Sequence, residues 1–342
     1  MSEESREGAV FVQTNEPANR VVAFRRSAGG ALTEAGSYET GGKGDGEPHL
    51  TSQGSVILSG DGRFLLVANA ASDSVSVFAV GEGGTLDLSG ATPAGPAPKS
   101  IAEHDGLVYV VSTGVPGLRG FRLSDGGLEA ISGAEQLLTA DADPAQVGFT
   151  PDGSALVVTE RGTDSVVTIP VEADGTLGTP ASTASSGPTP YGFAFSSQGV
   201  LVVTEAFRAA KGAAAASSYR LDGSSLTPVT RSAGNGRSEI CWAVVTPDGR
   251  FAFTTNFADG AVSRYAIAGD GTLSLDDAAA GITVDGRAGL RDEDMTADGR
   301  YLYALDADSG SVFGWGVASD GTLSPVGSWG GLPLTVAGLA AR

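Results

Sequence analysis

Seven times along this 342-residue chain a tight glycine-rich turn hands over to a leucine: Gly29-Gly-Ala-Leu32, Gly83-Gly-Thr-Leu86, Asp125-Gly-Gly-Leu128, Asp174-Gly-Thr-Leu177, Asp222-Gly-Ser-Ser-Leu226, Asp270-Gly-Thr-Leu273 and Asp320-Gly-Thr-Leu323. A fixed repeat copies one supersecondary unit along the chain, and few folds are built that way. Between these turns lies a second signature, a turn leading into an alternating apolar strand, as in Gly60-Asp-Gly62 before Arg63-Phe-Leu-Leu-Val-Ala-Asn69 and Pro151-Asp-Gly153 before Val157-Val-Thr-Glu160. Its glycines stand at Gly62, Gly106, Gly153, Gly199, Gly249 and Gly299, with spacings of 44, 47, 46, 50 and 50 residues. A period of about 40 to 50 residues is that of one four-stranded propeller blade. Asp-Gly supplies the positive φ that a tight hairpin requires.

Each unit therefore reads as strand a, turn, strand b, loop, strand c, turn, strand d. The chain opens with Ala9 to Asn15 as a strand b and Asn19 to Phe24 as a strand c, so the first blade lacks its own strand a. The segment Leu334-Thr-Val-Ala-Gly-Leu-Ala340 follows the seventh turn, where a further strand a falls due, and is expected to enter blade one and close the ring. Closure protects edges that an open array exposes. The expected fold is all-β: a seven-bladed propeller of four-stranded antiparallel blades, one domain over residues 1–342, with residues 1–8 outside the blades and flexible.

Composition agrees and excludes other classes. The 51 glycines and 41% hydrophobic content fit a turn-rich β fold with a large core, and only Ala206 to Ser218 reads as either helix or small-residue loop. A net charge of −19 disfavours nucleic acid and anionic membranes as partners. The start, Met1-Ser-Glu-Glu-Ser-Arg-Glu-Gly8, shows no basic and apolar signal regions, and there is no run of about 18 apolar residues. With Cys241 as the single cysteine, these features point to the cytoplasm. No metal or cofactor is expected: His49 lies in a glycine-rich loop, His104-Asp105-Gly106 occupies an outer turn, and no nucleophile elbow or nucleotide-binding glycine pattern occurs. Cys241 beside Trp242 reads as a small core residue, and Arg161, Arg208 and Arg264 read as outer-loop decoration.

The series Pro144-Ala-Gln-Val-Gly-Phe-Thr-Pro-Asp-Gly153, Val158-Thr-Glu160, Gly192-Phe-Ala-Phe195, Thr204-Glu-Ala-Phe207, Cys241-Trp242, Thr254-Thr-Asn256, Asp294-Met295 and Gly338-Leu-Ala-Ala-Arg342 resembles a bacterial branch of the lactonase-like seven-bladed propeller family. That family includes propeller-type phosphogluconolactonase and carboxymuconate cyclase, and the resemblance implies the same fold and a small-molecule enzyme. The family's arginine-histidine pair falls here on Ala145 and Gln146, and its glutamate on Glu160. Its second arginine, after a strand-b asparagine, is replaced by Phe257 after Asn256. Arg291 in Leu290-Arg-Asp-Glu293 matches an arginine before the last blade. Against its own branch this chain adds charge at Lys99, Arg237, Glu239, Arg291 and Glu293, all just before or early in a strand a.

In a propeller, loops entering strand a and leaving strand b surround one mouth of the central tunnel. The strand-a entrances offer Gln53, Lys99, Gln146, Tyr191, Glu239 and Arg291. The strand-b exits include Asn69, Glu160, Glu205, Asn256 and Asp306. Among these, Glu160 or Glu205 is the expected general base, Tyr191 a proton donor, and Lys99 and Arg291 the groups that hold a carboxylate or oxyanion. Gln53, Gln146, Glu239, Asn256, Arg291, Asp306 and Asn69 are the expected substrate contacts. Two functions remain open at this point: metal-independent hydrolysis, cyclisation or isomerisation of a small carboxylated or lactone metabolite, or a non-catalytic propeller binding a metabolite or a protein.

Overall fold

The computed structural model describes residues 7–47, 50 and 53–342. Residues 1–6, Pro48, His49 and the Thr51-Ser52 pair of the blade-two entrance lie outside the described residues. Seven four-stranded antiparallel sheets are formed among the described residues. Their innermost strands are Ala337–Ala341, Val56–Leu58, Pro98–His104, Pro144–Phe149, Pro190–Phe195, Ile240–Val245 and Leu290–Met295, in blades one to seven. The expected ring closure is observed, since Ala337–Ala341 pairs with Gly8–Gln13. Among the described residues no helix is long and apolar enough to cross a membrane.

Sequence dictates this architecture locally through two turns. The six glycines that end the a–b turns, Gly62, Gly106, Gly153, Gly199, Gly249 and Gly299, have φ between 69° and 79°, a region where a side chain meets its own backbone. In three c–d turns the leading Asp caps the turn: Thr176, Thr272 and Thr322 donate backbone N–H bonds of 2.9, 2.9 and 3.0 Å to Asp174, Asp270 and Asp320. Ala213-Ala-Ala-Ala216, ambiguous in sequence, leads into strand c of blade five, Ala215–Asp222, after a single 3-10 turn at Phe207–Ala209. Small β-strand residues fit there because the sheet is buried on both faces.

Among the described residues, seven clusters of the core form a ring, one at each blade interface. Val10, Val12 and Phe24 of blade one pack on Tyr303, Leu305 and Val312 of blade seven, for example, and Val200 and Val202 of blade five on Ala252 and Tyr265 of blade six. Phenol hydroxyls fasten blades further. Tyr303 Oη donates to the Gly30 carbonyl (2.7 Å), and Tyr109 Oη to the Gly175 carbonyl (2.5 Å), each in the next blade's c–d turn. This rigid ring fixes the direction of every loop around the axis.

Candidate functional site

Six of the seven inner strands begin with a β-bulge, and the bulges build the mouth. Pro98 pairs with Ser112 but Ser100 with Val111, leaving Lys99 as the extra residue. Ala145 is extra in the same way in blade four. In blades five, six and seven the residues spanning the shift are Tyr191-Gly192, Cys241-Trp242 and Arg291-Asp292. In blade one Gly338 falls between Ala337 and Leu339. A bulge bends the strand and re-aims a side chain, here at the tunnel mouth. Lys99, Tyr191, Cys241 and Arg291 thus come from four different blades to one end of the axis.

These groups touch or sense one another. Tyr191, Cys241 and Trp242 pack with Ala145 and Ala206 into one buried cluster flanked by Phe257. The Tyr191 and Trp242 rings lie 4.8 Å apart at 57°. Arg161 stacks its guanidinium 4.8 Å from the Tyr191 ring centre and donates from Nη1 to Tyr191 Oη at 3.0 Å. Arg291 lies 4.4 Å from the ring centre of Phe257. Each arginine has an acid partner: Asp143 at 2.6 Å from Arg161, and Asp308 at 3.6 Å from Arg291. Burial, then repulsion from Arg161, lowers the Lys99 ammonium to about 8, with Asp143 and Asp45 opposing. Burial raises the Tyr191 phenol well above its ordinary range and the Cys241 thiol to about 12, so both stay protonated at neutral pH. The fields of Arg291 and Arg161 both reach Cys241, and that of Arg161 also reaches Lys99. Such a mouth can hold an anion against an aromatic platform and offers one amine that titrates near neutrality.

Arg161 is the residue that the sequence reading misplaced. It is no outer-loop decoration, since its side chain is 14% exposed and lies on the Tyr191 ring. The available signal was its position immediately after the strand-b exit Glu160, the position that Phe257 holds after Asn256. Arg208 and Arg264 are paired with Asp164 and Asp276.

Other expected site residues are turned elsewhere. Glu160 accepts from Thr163 Oγ1 (2.6 Å) and Thr139 Oγ1 (3.1 Å), and is buried. Glu205 accepts from Gly187 N (2.8 Å), Ser232 Oγ (2.7 Å) and Ser217 Oγ, inside its own blade. Asn69 bonds Ser74, Ser76, Asn19 and Thr40. Asn256 bonds Ser263, Ala261 O and Asn235, and Asp306 accepts from Thr283 and Ser309. These strand-b exits are brackets that join b to strands c and d, because the residue ending an unbulged strand keeps its pleat and points between blades. Glu160 and Glu205 therefore do not stand beside Lys99 and Arg291 as a base would. Glu239 has φ 54°, and its carbonyl accepts from Phe257 N at 2.9 Å and from Cys241 Sγ at 3.4 Å. Its charge is felt by Cys241 at the mouth.

Gln53 and Gln146 also differ from expectation, since each spends its amide on a backbone. Gln53 of the blade-two entrance donates to Ala243 O (2.9 Å) and accepts from Ala243 N (3.1 Å), linking blade two to blade six. Gln146 makes the same two bonds to Phe193, at 3.0 and 2.7 Å. Both side chains satisfy edges of inner strands that have no further strand to pair with. On the other side of them a cavity of about 450 Å³ opens among Gln53, Ile101, Gln146, Phe149, Glu293 and Leu339.

The family model described as Lactonase, 7-bladed beta-propeller matches residues 5–114, 120–210 and 203–331. Among solved structures, a putative 6-phosphogluconolactonase from Bacteroides fragilis is similar at 19% identity, with 100% of this chain and 99% of that chain covered and a TM-score of 0.76. One from Bacteroides uniformis gives 18% identity over 97% and 99%, with a TM-score of 0.76. The periplasmic gluconolactonase PpgL of Pseudomonas aeruginosa gives 16% identity over 98% and 99%, with a TM-score of 0.75. No curated protein matches the chain. At these identities the solved structures establish the fold.

Proposed function

Because the chain belongs to the seven-bladed β-propeller lactonase family, we propose that it hydrolyses a lactone bearing an anionic group, at the mouth formed by Lys99, Arg161, Tyr191 and Arg291. The observation that carries this reading is the Arg161 guanidinium stacked on Tyr191 beside Trp242, with Arg291 on Phe257 at the flank of the same cluster and Lys99 within the field of Arg161. Arg161, held by Asp143 and stacked on Tyr191, anchors the anionic substituent. Phe257, partly buried at the flank of that cluster, offers apolar surface to the body of the lactone. Arg291 stabilises the negative charge that develops on the carbonyl oxygen.

Lys99 replaces the carboxylate base expected from sequence. With its ammonium lowered to about 8, a useful fraction is free amine near neutral pH. A water adds to the lactone carbonyl carbon as Lys99 Nζ takes its proton. The tetrahedral intermediate collapses by breaking the ring acyl C–O bond, and the departing alkoxide recovers the proton from the Lys99 ammonium. Lactone and water become one hydroxy acid, with nothing left over. The PpgL and 6-phosphogluconolactonase names of the similar folds accord with a substrate of this class.

The test is proton release on hydrolysis of 6-phosphoglucono-δ-lactone and of glucono-δ-lactone by the wild type and by Lys99→Met, Arg161→Met and Arg291→Met. Arg161→Met and Arg291→Met are expected to lower kcat/KM for the phosphorylated lactone by about ten- to a hundredfold, the range of one charge-assisted bond, and Lys99→Met by about a hundredfold or more, as for loss of a general base. The unfolding temperature should move little. Turnover indifferent to all three substitutions overturns the reading. Saturable binding of these lactones without turnover instead establishes a ligand-binding propeller.

A further inference from the structure

We propose that the cavity at the far end of the tunnel is a second binding site, for a small organic ammonium ion with an apolar body. It stands apart from the mouth, since Gln53 and Gln146 clasp the inner strands between the two. The cavity measures about 450 Å³, within the few-hundred-Å³ range of small-molecule sites. Its described lining includes the acids Glu103, Asp292, Glu293 and Asp294 and no lysine or arginine. A cleft lined by one sign of charge concentrates ions of the other.

Three of these acids are already engaged. Asp292 accepts from Leu339 N (3.2 Å) and from Glu293 N (2.9 Å), and Asp294 accepts from Ala341 N and Met295 N, both at 2.8 Å. Glu103 accepts from Gly60 N and Gly106 N, both at 2.7 Å. Glu293 differs. It is 1% exposed, and neither carboxylate oxygen has a hydrogen-bond partner among the described residues. An uncompensated buried carboxylate is costly, and a cation with N–H donors is the complement that relieves it.

The chemistry of the wall selects the kind of cation. No group of three acidic, histidine or cysteine residues among the described ones is arranged to hold a metal ion. Ile57, Ile101, Phe149 and Leu339 supply apolar surface, which an alkyl- or arylammonium buries and a hydrated metal ion does not. Burial, reinforced by Asp292 and Asp294, holds the Glu293 carboxyl well above the usual range. A bound ammonium opposes that shift and favours the ionised form, so binding is expected to release protons.

The experiment is isothermal titration of the full-length protein with benzylammonium and, as the neutral isostere, benzyl alcohol, in two buffers of different ionisation enthalpy. The expected result is saturable binding of benzylammonium, at least about tenfold tighter than benzyl alcohol, with net proton release as the amine binds. Glu293→Gln should weaken amine binding by about tenfold or more and abolish the proton release, while Arg291→Met at the mouth should leave both unchanged. Equal binding of amine and alcohol, or no binding, overturns the proposal. So does amine binding without proton release. The wild-type proton count decides the matter even where Glu293→Gln fails to fold. Because lactone turnover does not enter any of these readouts, failure here leaves the mouth reading standing, and the converse also holds.

Discussion

Lys99 owes its chemistry to one inserted residue. The bulge takes it out of the strand's alternation and sets it where burial and the Arg161 guanidinium both penalise its charge. Lactone hydrolysis should therefore rise with pH to a plateau, with a midpoint near about 8. Replacing Arg161 with Gln removes a repulsion and should carry that midpoint upward. A pH–kcat/KM profile of both proteins checks this, and a midpoint unmoved in Arg161→Gln excludes Lys99 as the titrating group. Lys99 and Arg291 were legible in the sequence as charges placed just before inner strands. Arg161 was not, because its inward turn depends on Asp143 as its acid partner and on Tyr191 offering a ring to lie on. That ring is in place only once neighbouring blades are assembled.

At the scale of the strand, the seven-fold pattern of turns and apolar alternation was enough to assign the blades. It could not say which way a polar strand end points. A single extra residue exchanges the two faces of a strand, and the bulges in the inner strands carry no distinctive residue. Glu205 shows the consequence. Sequence makes it a candidate base at the mouth, whereas the unbulged end of Val200–Glu205 directs it onto Ser217, Ser232 and the Gly187 N–H. Glu205→Ala should therefore cost stability, about 2–4 kcal/mol for several buried donors left without an acceptor. It should leave kcat/KM for the lactone within about twofold of wild type. Urea unfolding and turnover assays measure the two effects independently. A stable variant with collapsed turnover would return Glu205 to catalysis.

Across the whole molecule the tunnel is electrically polar, with Lys99, Arg161 and Arg291 at one end and Asp292, Glu293 and Asp294 towards the other. Closure of the ring, which followed in the sequence from counting strands, turns out to depend on this acidic strand. The closing strand Ala337–Ala341 offers its unpaired N–H groups to blade seven, and Asp292 and Asp294 accept two of them, at Leu339 and Ala341. Burial raises the Asp294 carboxyl to about 6 despite those bonds, above its ordinary 3.8. Between these values the folded protein keeps a proton that the unfolded chain has lost. The associated stability is thus present below about pH 4 and is lost as pH rises through about 6. Asp294→Asn keeps an acceptor for the closing strand but carries no charge to bury. Its unfolding temperature should stand above wild type at neutral pH, by a few degrees for about 2–3 kcal/mol. That advantage should shrink as pH is lowered from about 6 to about 4. Thermal melts across that window decide the point. A gap independent of pH would mean that Asp294 closes the ring as an ordinary ionised acceptor, and that the seam between blades seven and one is not the pH-sensitive joint of this propeller.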